Sequence, residues 1–290
     1  MKRGGFLMNG SQFFQLFLYA SNWDIVLNLV FIAIALVYIL LTGPLVKYIP
    51  GATKVKGIHR LSFILGLLFF YFAEGSPISL LSHELFSMHM TQMTIMYIVM
   101  PPLLLLGIPG WFVRPLFKIK VFRGLLTFFT RPLIILFVFN GLLSIYHVPA
   151  VFNFIMESHL YHNISHTILL LAALCMWWPV ICPVEELDKV KPLHKLGYIF
   201  ANGVLLTPAC ALIMFADATI YPMYSQVSTF SIMTPLQDQQ TGGVIMKITQ
   251  EVVYITAIAL VFSRWFKIQR EQDEKELLEW KKSQLATDKP

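Results

Sequence analysis

WDIVLNLVFIAIALVYILLT, residues 23–42, decides what kind of molecule this is. It carries a single charge, Asp24, at its start, and after that only Asn28, Tyr38 and Thr42 interrupt an apolar run. An α-helix rises about 1.5 Å per residue, so a run of this length reaches roughly 30 Å, the thickness of a bilayer's hydrocarbon core. Six further apolar runs follow, at about 60–80, 85–107, 132–149, 160–180, 196–216 and 244–263. Pro101 and Pro102 are expected to bend the third of these.

The composition agrees with that reading. Of the 290 residues, 57% are hydrophobic and 13% charged, against about 25% charged in soluble domains. The expected fold is all-α: a polytopic membrane protein built as a bundle of seven transmembrane helices. Residues 1–266 form the membrane domain with an interfacial N-terminal arm over 6–20, and residues 267–290 form a charged tail.

The net charge of +6 does not point to nucleic acid, because the basic residues are distributed by connection. Lys47, Lys54, Lys56 and Arg60 join spans one and two, and Arg114, Lys118, Lys120, Arg123 and Arg131 join three and four. Lys189, Lys191 and Lys195 join five and six, and the tail adds Arg264, Lys267, Arg270 and Lys275. The alternate connections, 81–84, 150–159 and 217–243, have no Lys or Arg. The positive-inside rule then places the N-terminus outside and the C-terminus in the cytoplasm, with only Lys2 and Arg3 opposing.

On this topology the histidines fall into a layer. His83, His89, His147, His159, His162 and His166 stand at the outer ends of their segments, with Glu74 and Asp217 in the same part. Only His59 and His194 are at the other side. Ionisable groups at membrane depth are costly unless they pair or line a site. In FSMHMTQM, residues 86–93, His89 opens a ladder with Met93, Met96 and Met100 at steps of four, three and four. His159, His162 and His166 step by three and four. Each set shares one helical face, and two such faces turned together suit a metal. Imidazole with thioether favours copper, above all Cu(I); zinc through histidines alone and haem on two axial histidines are the other candidates.

The stretch 217–243 carries Pro222, Pro235, Gly242 and Gly243, which read as turn and cap chemistry. Asp238, Gln239 and Gln240 form either a polar lid over the histidines or partners for backbone groups. Cys175, Cys182 and Cys210 include no CxxC pair, so neither a disulfide framework nor a zinc finger is expected. No serine elbow, HExxH or phosphate loop occurs, and no enzyme activity is expected.

Several stretches resemble one family. They are SFILGLLFFYFAEGSPI (62–78), FSMHMTQM (86–93), PPLLLLGIPGWFVRPL (101–116), YHVPAVFNF (146–154), MWWPV (176–180), YPMY (221–224) and DQQTGGVIM (238–246). In order and spacing they are similar to the CtaG-type cytochrome c oxidase assembly factors of bacteria. The resemblance implies a multi-pass protein of the bacterial plasma membrane that works with cytochrome c oxidase subunits and an extracytoplasmic copper donor. It also implies copper delivery or insertion. The family's commoner pattern is HMxQH, so Met93 stands where a histidine is usual.

Combined with the layer, the expected ligands are His89, His162 and His166, with Met93 as a soft fourth and His159 beside them. His147, Glu74 and Asp238 are expected to orient or gate. The rival readings are a metal-free scaffold for oxidase subunits and a haem-binding protein. A transporter ranks below the scaffold, since Asn28, Asn140 and Asn202 are isolated polar residues.

Overall fold

A backbone in lipid has no water to bond, so each apolar run closes its hydrogen bonds internally as a helix. The computed structural model describes residues 10–226 and 233–287. The basic tip at Lys2 and Arg3, the first residues of the expected arm, the middle of the 217–243 stretch (227–232) and Lys289 lie outside the described residues. The helices are α1 (Ile25–Thr42), α2 (Gly57–Glu74), α3 (Phe86–Gly107), α4 (Lys120–Phe129), α5 (Pro132–Tyr146), α6 (Pro149–Met156), α7 (His159–Trp177), α8 (Pro192–Met214) and α9 (Pro235–Thr287). Asp24, the lone charge of the opening stretch, caps α1 by accepting the Leu27 N–H at 2.9 Å.

Among the described residues six helices are long and apolar enough to cross a membrane, or seven if the bent pair α4–α5 is one span. The expected fourth span, 132–149, is therefore shorter than read. Its helix has 15 residues, about 22 Å at the usual rise, and α4 meets it at 77°. In α4, Val121, Leu125, Phe128 and Phe129 are exposed on one side while Lys120 and Arg123 face away in the helical period. Such a helix suits the membrane interface, where the sequence reading saw only a basic connection.

The third run forms the centre. In α3 67% of the spanning window is buried, against 11% in α1. It packs on α2, α7 and α9, while α8 and α9 pair with each other. Pro101 and Pro102 lack the N–H groups that would bond back to Tyr97 and Ile98, and the turn just before them, Ile95–Val99, widens to a π-helix.

The last span begins at Pro235, not near 244. Gly242 and Gly243 are therefore helical, and they serve packing instead of a turn. A Cβ on Gly242 would lie 2.8 Å from Phe86 and 2.9 Å from Met90, and one on Gly243 would lie 2.8 Å from Met214. The pair lets α9 approach α3 on one side and α8 on the other. Beyond the apolar run α9 continues without a break to Thr287, with Arg270 and Glu274 bonded at 3.1 Å one turn apart.

Candidate functional site

The first turn of α3 needs partners for its free N–H groups, and Leu85 supplies no side-chain cap. A neighbouring helix does. Asp238 in the first turn of α9 accepts the Phe86 N–H at 2.7 Å, the Ser87 N–H at 3.4 Å and the Ser87 hydroxyl. Both carboxylate oxygens accept hydrogen bonds from α3, so Asp238 holds the first turn of that helix in place. Its neighbours do similar work. Gln239 accepts the Ile220 N–H at 2.8 Å, and Gln240 donates to the Ala216 carbonyl at 3.1 Å. Of the two roles open for this trio, satisfying backbone groups is the one observed.

With α3 held there, His89 is fully buried and its ring meets those of α7. The ring centre of His89 is 5.9 Å from that of His166 and 6.2 Å from that of His162. His162 and His166 are 4.1 Å apart. His83, exposed on the loop before α3, is 5.6 Å from His162 and 6.4 Å from His159. Burial and the neighbouring His159 lower the pKa of His83 below the ordinary histidine value. The rings thus run inward from exposed His83 and His159, through half-buried His162, to buried His166 and His89.

Tyr146, at the end of α5, closes the inner side. Its hydroxyl lies 3.3 Å from Nε2 of His89 and 3.3 Å from Nε2 of His166. One hydroxyl proton serves one of these nitrogens, and the other histidine donates its own N–H to the oxygen. Two ring nitrogens in the cluster remain buried without a hydrogen-bond partner, Nδ1 of His89 and Nε2 of His162. Among the described residues no group of three His, Cys, Asp or Glu side chains stands ready-formed for a metal ion.

Met93 is fully buried in the core cluster below His89. The Met90 sulfur lies 3.3 Å from Nε2 of His147. His147 is buried but turned aside from the cluster, with Nδ1 bonded to the Leu143 carbonyl at 2.7 Å. Glu74 is half-buried at the end of α2, within electrostatic reach of Tyr97. Asp217 is exposed, and the three cysteines are free.

An aromatic collar surrounds His89. Phe152 meets it edge-on at 5.3 Å, and Phe86 stacks on Tyr221 at 4.6 Å. Tyr221 donates to the His147 carbonyl at 2.8 Å, and Tyr224 to the Ser82 carbonyl at 2.7 Å. The YPMY turn is thereby tied across the site. Tyr146, Phe152 and Tyr221 stand in the YHVPAVFNF and YPMY stretches, but spacing alone does not aim their rings. Lys247 and Glu251, not among the expected site residues, form an ion pair of 2.6 Å inside α9. Lys247 also donates to the Thr207 hydroxyl at 2.8 Å. Two opposite charges four apart in an apolar run were the available signal.

No curated protein and no solved structure matches the chain. The family model of the cytochrome c oxidase caa3 assembly factors matches residues 36–267, which run from within α1 into α9 and include every histidine discussed above. The chain belongs to that family: it is a multi-pass protein of the bacterial plasma membrane, an oxidase assembly chaperone and not an enzyme.

Proposed function

We propose that the protein carries Cu(I) as cargo in the histidine cluster and passes it to a subunit of the oxidase it helps assemble. The observation that carries this reading is the pair of buried, unpartnered nitrogens on neighbouring rings, Nδ1 of His89 and Nε2 of His162. A buried polar atom without a partner costs about 1–3 kcal/mol, a cost that a bound cation removes. The donors are neutral imidazoles among aromatic rings, and the nearby carboxylate of Asp238 is already engaged. Neutral donors in apolar surroundings favour a monovalent soft ion over a divalent one, because less charge is desolvated. His166 and His83 stand close enough to supply a further donor by side-chain rotation. Incomplete coordination suits an ion that must be given away.

The same reading places the histidine end at the outer face and the C-terminus in the cytoplasm. The basic connections around Lys54, Arg123 and Lys189 support that orientation. Single cysteines introduced at Ser225 and Lys189, in a chain with its own cysteines replaced, test it in whole cells. A membrane-impermeant maleimide is expected to label the first and not the second.

Anaerobic Cu(I) loading of the detergent-purified protein, followed by metal analysis, tests the cargo. His89→Ala and His162→Ala are each expected to lose copper and to lower oxidase activity in cells while remaining inserted. A folded wild type that retains no copper would replace this reading with a metal-free scaffold, its histidines serving helix contacts or partner binding.

A further inference from the structure

We propose that His147 and Met90 form a second soft-metal point, separate from the His89–His162 cluster and able to hold one Cu(I) or Ag(I) ion. Nδ1 of His147 lies 2.7 Å from the Leu143 carbonyl, an acceptor only, so the ring proton of the neutral imidazole is on Nδ1. Nε2 then presents a bare lone pair. Facing it at 3.3 Å is the Met90 sulfur, a thioether that also has no proton to give. The two groups cannot satisfy each other by a hydrogen bond. Both residues are almost wholly buried, Met90 at 0% and His147 at 2% exposure. Two electron-pair donors held together in a dry place await a cation. At ordinary metal–nitrogen and metal–sulfur lengths of about 2.0 and 2.3 Å, donors at this separation can share one ion.

The donor set selects the ion. One imidazole and one thioether supply no negative charge, which disfavours zinc, calcium and magnesium and favours soft monovalent ions. The surroundings hold the pair in place. Tyr221 fixes the His147 backbone by donating to its carbonyl at 2.8 Å. Gly242 of α9 lies against Met90, where a Cβ would come within 2.9 Å of its side chain.

The two points are arranged back to back. Consecutive residues of α3, His89 and Met90, meet consecutive residues at the end of α5, Tyr146 and His147. His89 with Tyr146 belongs to the cluster, and Met90 with His147 makes the second point. The rings of Tyr146 and His147 are 5.4 Å apart, close enough for the second point to serve as a step in transfer of the same ion.

The pair stands on its own atoms and does not depend on the cluster binding copper. Its test is X-ray absorption at the copper edge on the full-length protein loaded anaerobically with Cu(I), with stoichiometry measured alongside. The wild type is expected to show a copper–sulfur shell. Met90→Leu, which conserves volume, is expected to lose that shell and about one equivalent of copper. His147→Gln is expected to weaken the same point by at least about tenfold in chelator competition. His89→Ala is expected to keep the copper–sulfur shell while losing the cluster's copper. A wild type with no sulfur shell, or a Met90→Leu protein that keeps it, overturns the proposal. Loss of the shell in His89→Ala also overturns it, by merging the two points into one site. Elution and melting profiles identify a variant that has misfolded, and the wild-type spectrum alone still decides whether sulfur binds.

Discussion

Lys195 and His89 are both polar side chains buried in this bundle, and the fold treats them differently. At the basic end Lys195 is 2.6 Å from Asp188 and donates to the Val180 carbonyl. Arg114 meets Glu186 at 2.6 Å, and His59 bonds to the Leu106 carbonyl at 2.8 Å. At the opposite end His89 and His162 each keep a buried nitrogen without a partner. The carboxylate of Asp238, at the same end, bonds to the backbone of α3. Lys195, Arg114 and His59 are thus each paired within the fold. On the proposed reading, the two open nitrogens of the histidine cluster are the ones that a bound ion would occupy.

The contrast can be broken or sharpened by substitution. Asp238→Ala is expected to have the largest effect. It strips the Phe86 and Ser87 N–H groups of their acceptor, and at about 1–3 kcal/mol per buried donor it costs about 3 kcal/mol. A lower melting temperature, with reduced copper retention because α3 is no longer held, checks it. Gly242→Ala drives a methyl group into Phe86 and Met90 and is expected to cost about 2 kcal/mol, in the usual range for overpacking. Chemical denaturation in mild detergent measures the loss.

Lys195→Met is expected to cost about 1 kcal/mol, since Asp188 keeps some access to solvent. Copper retention should not change, because the pair lies at the other end. His162→Leu reverses the sign. Removing the unpartnered nitrogen should leave stability unchanged or raise it by up to about 1 kcal/mol, while copper is lost. A marked loss of stability instead would show His162 to be a structural group like Lys195, and the contrast between the ends would fail. Glu186→Gln is expected to have the smallest effect, with no resolvable change in melting temperature at pH 7. Its own backbone N–H and Arg114 lower the Glu186 pKa in the folded protein. Any stabilisation is therefore present above the unfolded value near about 4.3 and fades as the pH falls through the folded one.

Much of the architecture was legible residue by residue. The lone charge of Asp24, the apolar run after it and the grouping of histidines near one end are local facts of the chain. The errors came where two helices meet. Gly242 and Gly243 read as turn residues because glycine breaks helices in isolation, whereas here close approach to α3 and α8 keeps them in α9. The stretch before residue 132 read as a basic connection because its charges were counted and its amphipathic period was not. The particular backbone that Asp238 serves was not legible, because nothing in its own helix reveals the N–H groups of α3.

The sequence by itself determined that the chain enters a membrane as helices and that six histidines gather in one layer. Hydrophobicity and helical rise are local properties, and they act before any helix finds a neighbour. The tertiary structure decided which atoms of that layer meet. Successive residues on a helix point about 100° apart, so a small rotation of α3 exchanges one neighbour for the next. Packing against α9, with Asp238 holding the first turn, selects the rotation at which His89 meets Tyr146 and Met90 meets His147. No spacing within a single helix carries that information, because it belongs to the contact between helices.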